Sequence, residues 1–313
     1  MGLLLWPKKK EEERGKKTFE MAKIIDYPNK EVRVPDYLSK PEELNWQVGE
    51  ENLPTSAVVY GVENKTIDEE TAKKWLSLVG LSYESKKEKD GLWLFASEDG
   101  KYEANIDPQS GKFGYAENIF SKAEVKSTGV MKVEENKTKL RQLINSFGGE
   151  EIGIEKIDYQ ELVSPRWVST TAQRAQVVEI EASYVINGYP VRGYGGNPIR
   201  ARYTREGRLI KLELELAYGK WEATKEEETV TLSELKKAEP GLFKVWQVTG
   251  SQDYQLKVEN EIIKKATLTK INLGYVYDRG GSRLWPYYFI EGNSLTESGG
   301  VKVTVIFPAT KSD

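Results

Sequence analysis

Carboxylate, lysine and hydroxyl side chains are the groups with which this sequence could do chemistry, because it contains neither histidine nor cysteine. Without histidine there is no Ser-His-Asp triad and no side chain that ordinarily titrates near neutrality. Without cysteine there is no disulfide, no thiolate metal site and no thiol nucleophile. The remaining side chains, including 17 tyrosines, would support glycoside hydrolysis, magnesium chemistry or a Ser-Lys dyad.

Two glutamates at a spacing of two residues, Glu213 and Glu215, are the clearest carboxylate pair. Glycoside hydrolysis needs two carboxyl groups held about 5 to 10 Å apart across a cleft. Here the alternation with Leu212, Leu214 and Leu216 predicts a strand whose leucines face the core, which turns both glutamates toward water. We therefore predict no catalytic residues and no enzymatic activity, with a carboxylate-dependent glycosidase as the alternative.

The sequence predicts no metal and no cofactor. Asp99 and Asp107 fall in turns, where their side chains accept backbone hydrogen bonds, and a calcium loop needs more oxygen ligands than these turns offer. The glycine-rich stretch 185–219 is followed by an alternating strand, whereas a phosphate loop must lead into a helix N-terminus. Its glycines are therefore interpreted as turn residues rather than as a nucleotide site.

Aromatic and basic residues gather in two predicted hairpin loops. Such residues dominate protein interfaces, and we predict partner contacts by Tyr189, Arg192, Tyr194, Asn197, Arg283, Trp285 and Tyr287. A second interpretation is that Trp285 and Tyr287 fill the core, and a third is that aromatics beside asparagine stack on sugars. "VSPRWVSTTAQR" offers a further aromatic and basic cluster at Arg166, Trp167 and Arg174.

Three amphipathic helices are predicted to support these loops. Thr66 and Glu69 have capping-box spacing before an apolar stripe that ends at Gly80. The second helix carries an apolar stripe (Leu140, Leu143, Ile144, Phe147) and ends at Gly148-Gly149. Thr231 and Glu234 again have capping-box spacing before a third helix, which Pro240-Gly241 stops.

An antiparallel meander is predicted after each helix. Period-two alternation occurs in 92–96, 102–106, 178–186, 199–203, 210–218, 271–277, 287–289 and 301–307. Asn187-Gly188 is a hairpin signal. The sequence therefore predicts an α+β fold of repeated helix-on-antiparallel-sheet units, in two to three copies, with an extended N-terminal arm. The predicted domains are an arm at 1–54, a helix-plus-meander domain at 55–130 and a larger domain at 131–313.

The charge and the first residues limit the partners. Lys and Arg number 46 against 49 Asp and Glu, giving a net charge of -3 with mixed signs, so we predict no nucleic-acid partner.

The charged fraction of 30%, dominated by Lys and Glu, is typical of a heat-adapted source. Leu3 to Trp6 are too few to span a bilayer, which needs about 20 residues, and they are interpreted as the remnant of a membrane anchor or as a solvated tail.

Two parts of the sequence resemble known families. "ANIDPQSGKF", with Asp107 and Gly111 in its turn, resembles the PepSY unit, in which a helix packs on an antiparallel sheet. "INGYPV", "TLSELKKA", "LGYVYD", "LWPYYFI" and "VTVIFPA" together resemble the extracytoplasmic part of membrane-anchored regulators of the YycH and YycI group. The resemblance covers roughly 57–309 and implies an upstream anchor, an extracytoplasmic location and regulation of another protein. It implies no catalytic residues.

The function predicted from these observations is a non-enzymatic extracytoplasmic binding or regulatory module that contacts a protein partner at the cell envelope. An envelope glycan-binding module is the alternative class, and a scaffold subunit of a surface assembly is a third. Exposed aromatics over a groove would favour the glycan, whereas an exposed edge strand or a flat apolar patch would favour the protein.

Overall fold

Most of the residues that the structure, a computed structural model, describes belong to one large mixed β-sheet. Strands account for 56% and helices for 16% of the structure. The predicted α+β fold of repeated helix-on-sheet units, which the PepSY resemblance also implied, is therefore wrong. The helices lie close to where the sequence predicts them, but the strands that follow them pair across the supposed units. The sheet, rather than a repeated unit, is the organising element.

The structure describes 25–26, 33–34, 41–49, 53–62, 66–83, 85–119, 125, 129–149, 151–163, 166–193, 197–215, 221–250, 263, 265–277, 283–296 and 299–311. Most of the predicted N-terminal arm, including Leu3 to Trp6, lies outside these ranges. Within them, the strands of the first half are β1 (Ile25–Asp26), β2 (Arg33–Val34), β3 (Glu43–Trp46), β4 (Ser56–Val62), β5 (Ser85–Lys89), β6 (Leu92–Ala96), β7 (Tyr102–Asp107), β8 (Lys112–Glu117) and β9 (Ile152–Val163). Those of the second half are β10 (Arg166–Ser169), β11 (Val177–Ile186), β12 (Tyr189–Arg192), β13 (Ile199–Thr204), β14 (Leu209–Leu214), β15 (Trp221–Glu228), β16 (Lys244–Gly250), β17 (Lys265–Tyr277), β18 (Arg283–Thr296) and β19 (Gly299–Pro308).

The described helices are α1 (Glu69–Leu78), α2 (Val133–Phe147) and α3 (Leu232–Lys237). The predicted capping box of α3 is confirmed, since the Thr231 hydroxyl and the Glu234 carboxylate each accept from the backbone of the other. The N-cap of α1 is instead Asp68, whose carboxylate accepts from the Thr71 amide at 2.8 Å. Gly148 ends α2 in the left-handed conformation, as predicted.

An antiparallel part of the sheet runs in the order β5-β6-β7-β8-β14-β13-β11-β9-β10. Its inner face packs against α1 and α2, with residues that include Trp75, Phe113, Leu140, Ile180 and Leu212. Burying a helix stripe against alternating strand residues is the expected way to hide both apolar surfaces. The opposite face of this part, here called the outer face, carries the charged residues of the same strands.

The second part of the sheet centres on β17 and β18. β18 pairs with β19 and with β4, which in turn pairs with β15, and β16 pairs with β19. β17 makes two parallel pairings, with β3 and with β12. Because β12 is also the hairpin partner of β11, it joins the two parts of the sheet. Asn187 and Gly188 have φ of 51 and 83 at this hairpin, which confirms the predicted turn.

The predicted division into domains stays a prediction. β8 pairs with β14, and β4 pairs with β15 and β18, so strands on both sides of residue 130 share the sheet. α3 and the last strands enclose a further apolar cluster that includes Leu235, Phe243, Leu268, Tyr288 and Val305.

Candidate functional site

Two of the predicted contact residues lie in the interior. Trp285 is 5% exposed and Tyr287 is 0% exposed, in a cluster with Val59, Val276 and Phe289. This is the second interpretation that the sequence allowed, in which these aromatics fill the core. Residues 284–290 of β18 are all buried, since this strand is central in the sheet, is paired on both sides along much of its length and is covered on both faces.

Three others are near the surface but engage this chain. The Arg192 guanidinium lies 3.2 Å from a Glu155 carboxylate oxygen and 4.6 Å from the centre of the Phe289 ring. The exposed Arg283 lies over the Trp285 ring, 5.9 Å from its centre. Tyr189 is half-buried. These contacts hold the basic groups against aromatic rings, an arrangement that stabilises the hairpins.

Tyr194 lies outside the described residues, and Asn197 lies in a cleft on the outer face. This polar cleft has a volume of about 340 Å³, at the lower end of the range for small-molecule pockets. Its polar side chains are Asn105, Lys112, Asn197, Arg200, Glu213 and Glu215. The sequence placed both glutamates on the outer face correctly, but nothing in the local pattern indicated a cleft.

A row of residues across five strands runs through the polar cleft. Strand register places Glu181, Arg200, Glu213, Gly114 and Asn105 side by side on β11, β13, β14, β8 and β7. All of these except Glu181 line the cleft. Gly114 leaves room for the Asn105 side chain, since a Cβ built at Gly114 would lie 2.8 Å from both the amide nitrogen and the amide oxygen of Asn105.

Hydrogen bonds fix the acidic side chains around the cleft. Tyr277, on β17, donates its hydroxyl to Glu215. Burial raises the pKa of this tyrosine above its ordinary value, and the Glu215 carboxylate raises that pKa further, so the phenol remains a donor. Gly193 makes room for this contact, since a Cβ there would overlap with the Tyr277 hydroxyl. The Lys211 ammonium lies 2.7 Å from Glu213.

Asn197 is tied to the neighbouring strand. Its amide donates to Glu181 at 2.9 Å, and Ser183 donates to its carbonyl oxygen at 3.4 Å. Lys112 is exposed at the other side of the cleft and pairs in register with Asp107. As predicted, the Asp107 carboxylate accepts from the Gln109 and Ser110 amides at 2.9 and 3.1 Å.

The hairpin of β9 and β10 forms a second surface feature at the edge of the antiparallel part. Val163 and Val168 are 49% and 38% exposed. Register pairs Val163 with Arg166 and Val168 with Glu161, so both valines lie on one face of the hairpin. Trp167 lies on the opposite face, half-buried, with the Arg202 guanidinium 5.3 Å from its ring centre. We call Val163, Arg166 and Val168 the hairpin edge.

Two other edge strands of the described sheet carry more charge than β10. β5 reads SKKEK and β15 reads WEATKEEE, and both are largely exposed. Charged side chains, lysine above all, protect an edge against pairing with another strand. β10 reads RWVS, with one charge in four residues, and among the described residues it pairs with β9 alone. It is less protected than β5 and β15.

The described residues hold no group of three or more acidic side chains placed to bind a metal ion. None of the helices within the described ranges has the length and apolar character that a membrane span requires.

No family model matches the chain, and no curated protein matches it. One similar solved structure is that of an uncharacterized protein from Eubacterium rectale ATCC 33656. It is 12% identical with a TM-score of 0.48, and the match covers 87% of this chain and 88% of the other.

Proposed function

We propose that this chain is a non-enzymatic binding or regulatory module that meets a protein partner along the hairpin edge. The observation that supports it most directly is the exposed edge strand β10, which has few charges and apolar neighbours. An exposed edge strand favours a protein partner over a glycan, because its backbone groups can pair with another strand.

The backbone of β10 supplies the attraction. The outward-facing N–H and C=O groups of an edge strand bind an extended peptide as an additional strand, and the flanking side chains select its sequence. Val163 and Val168 offer apolar contacts, and Arg166 offers a charge beside them. The preferred partner is therefore an extended segment that alternates apolar and acidic residues.

The remaining parts of the proposal come from the sequence. The regulatory role and the cell envelope as the place of action rest on the resemblance to the YycH and YycI group. Protein-binding at an edge strand is compatible with each of them.

The test is retention of envelope proteins on the immobilised chain, compared with a Val168→Lys variant. The added ammonium places a charge beside the incoming strand, and we expect it to reduce retention at least tenfold. Val130→Lys is the matched control, because Val130 is 86% exposed and lies outside the hairpin. Circular dichroism establishes that both variants fold.

Retention by the parent and by Val130→Lys, but not by Val168→Lys, supports the proposal. Equal retention by both variants contradicts docking at the hairpin edge. Retention of wall polysaccharide without any protein contradicts the protein-binding function itself.

A further inference from the structure

Asn105 places an uncharged polar group at the polar cleft. Gly114 separates Glu213 from Asn105 in the row across the strands, and the Asn105 side chain lies over Gly114, where a Cβ would come within 2.8 Å of its amide. The side-chain amide of Asn105 is exposed at the cleft and makes no hydrogen bond within the described residues. A side-chain amide carries two N–H donors and a carbonyl acceptor, so it can donate a hydrogen bond to a hydroxyl oxygen or accept one from a hydroxyl hydrogen.

The charges that line the polar cleft balance. Lys112 and Arg200 contribute two positive charges, and Glu213 and Glu215 contribute two negative charges. A ligand with a net charge would meet as many like charges as opposite ones. A neutral ligand with several hydroxyl groups can donate to the carboxylates and accept from the cations.

The acceptors of the cleft are held in place before any ligand arrives. Tyr277 donates to Glu215, and the Lys211 ammonium fixes Glu213 at 2.7 Å. Asn197 is held through Glu181 and Ser183. Side chains that are already ordered lose little conformational entropy on binding. Pro198 adds apolar lining to the same cleft.

From this arrangement we infer that the polar cleft binds a neutral carbohydrate of one or two rings. The hydroxyl groups bond to the charged and amide groups, and the carbon-bound faces of the ring lie against the apolar lining. This site is separate from the hairpin edge, so the inference does not rest on the proposed protein partner.

The experiment is an NMR titration of the amide-labelled protein with glucose, cellobiose and N-acetylglucosamine. Glucuronate and glucosamine serve as charged probes of the same size. We expect saturable shifts of the Gly114 and Asn105 amides with at least one neutral sugar, and at least tenfold weaker binding of the charged probes.

Two variants locate the site. Glu213→Gln removes a charged acceptor, and Asn105→Ala truncates an exposed side chain that makes no hydrogen bond within the described residues. We expect each to weaken sugar binding at least fivefold, whereas Glu206→Gln, an exposed carboxylate in a turn, leaves it unchanged. The inference is overturned if none of the neutral sugars gives saturable shifts. Tighter binding of a charged probe than of the neutral sugars also overturns it, as does equal sugar binding by all three variants. The retention assay with Val168→Lys reports on the hairpin edge independently.

Discussion

Arg205 is 7% exposed, and its guanidinium is surrounded by backbone oxygens. It donates to the carbonyls of Ala175 and Gly129 at 2.6 Å, of Gln173 at 2.7 Å and of Ala172 at 3.0 Å. A guanidinium has five donors in a rigid planar fork, so one side chain can hold four carbonyls. Arg205 thereby ties the chain before α2 to the turn after β10.

Replacing Arg205 by methionine should lower the free energy of unfolding by about 3 kcal/mol, because buried carbonyls lose their donors. Urea denaturation measures this change. Arg174→Met is the matched control, since the Arg174 side chain is 69% exposed and its pairing with Glu161 at 2.6 Å is a surface contact. A similar decrease in the free energy of unfolding of both variants would contradict a stabilising role of the hydrogen bonds from Arg205 to the carbonyls.

At the scale of elements, the start of α1 distinguishes two capping residues. The sequence spacing indicated Thr66 with Glu69, whereas the structure places Asp68 at the N-cap. The backbone hydrogen bond from Thr71 lowers the pKa of Asp68, so the charged carboxylate is the form that stabilises the helix. This stabilisation is present above the ordinary pKa and is lost as the pH falls through the lowered value.

We expect Asp68→Ala to lower the melting temperature at neutral pH and Thr66→Ala to leave it unchanged. Because the contribution of Asp68 requires its charge, the difference between Asp68→Ala and the parent should shrink in acid. Thermal melts followed by circular dichroism at several pH values test both statements. An equal decrease of the melting temperature in the two variants at neutral pH would contradict the assignment of Asp68 as the N-cap.

Elements with strong local signals were predictable from the sequence, and their assembly was not. The three helices, the Asn187-Gly188 turn and the strands with alternating apolar residues lie where periodicity placed them. β5 and β15 consist mostly of Lys and Glu, so they carry no alternating apolar pattern from which a strand could be predicted. Their strand conformation is imposed by neighbours in the sheet, a tertiary effect on weak local preference.

The site depended on the same long-range information. Glu213 and Gly114 are adjacent because β14 pairs with β8, and no local pattern encodes that register. Trp285 and Tyr287 are residue types that are frequent at interfaces, but both are buried because β18 is a central strand of the sheet. The polar cleft was therefore not predicted, although Asn197, which lines it, is one of the predicted contact residues.

Across the whole molecule, buried tyrosines make the protein sensitive to alkali. Burial raises the pKa of Tyr115 from 10.0 to about 12, and it also raises the pKa of Tyr184, Tyr203, Tyr275 and Tyr277. Between these values the unfolded chain loses a proton that the folded chain retains. The stability is therefore complete below the ordinary tyrosine pKa and falls as the pH rises above it.

We expect the urea midpoint to decline from about pH 10 upward and to decline less steeply in a Tyr115→Phe variant. Tyrosinate absorbance should rise with pH in two stages. The exposed phenols ionise first, and the buried phenols ionise later, when the protein unfolds. The control is Tyr83→Phe, because Tyr83 is only partly buried, so the slope of this variant should match that of the parent. Identical slopes in all three proteins would contradict the burial argument.

The pairing of β4 with β15 and β18 has a consequence for the order of events on the ribosome. Residues 56–62 emerge early, but their partners at 221–228 and 283–284 are made much later. Contacts between such distant segments form slowly and leave an unpaired strand exposed in the meantime. Nascent chains therefore carry β4 without its neighbours until residues 221–228 and 283–284 have been made, and the completed sheet closes around a segment that was synthesised long before its partners.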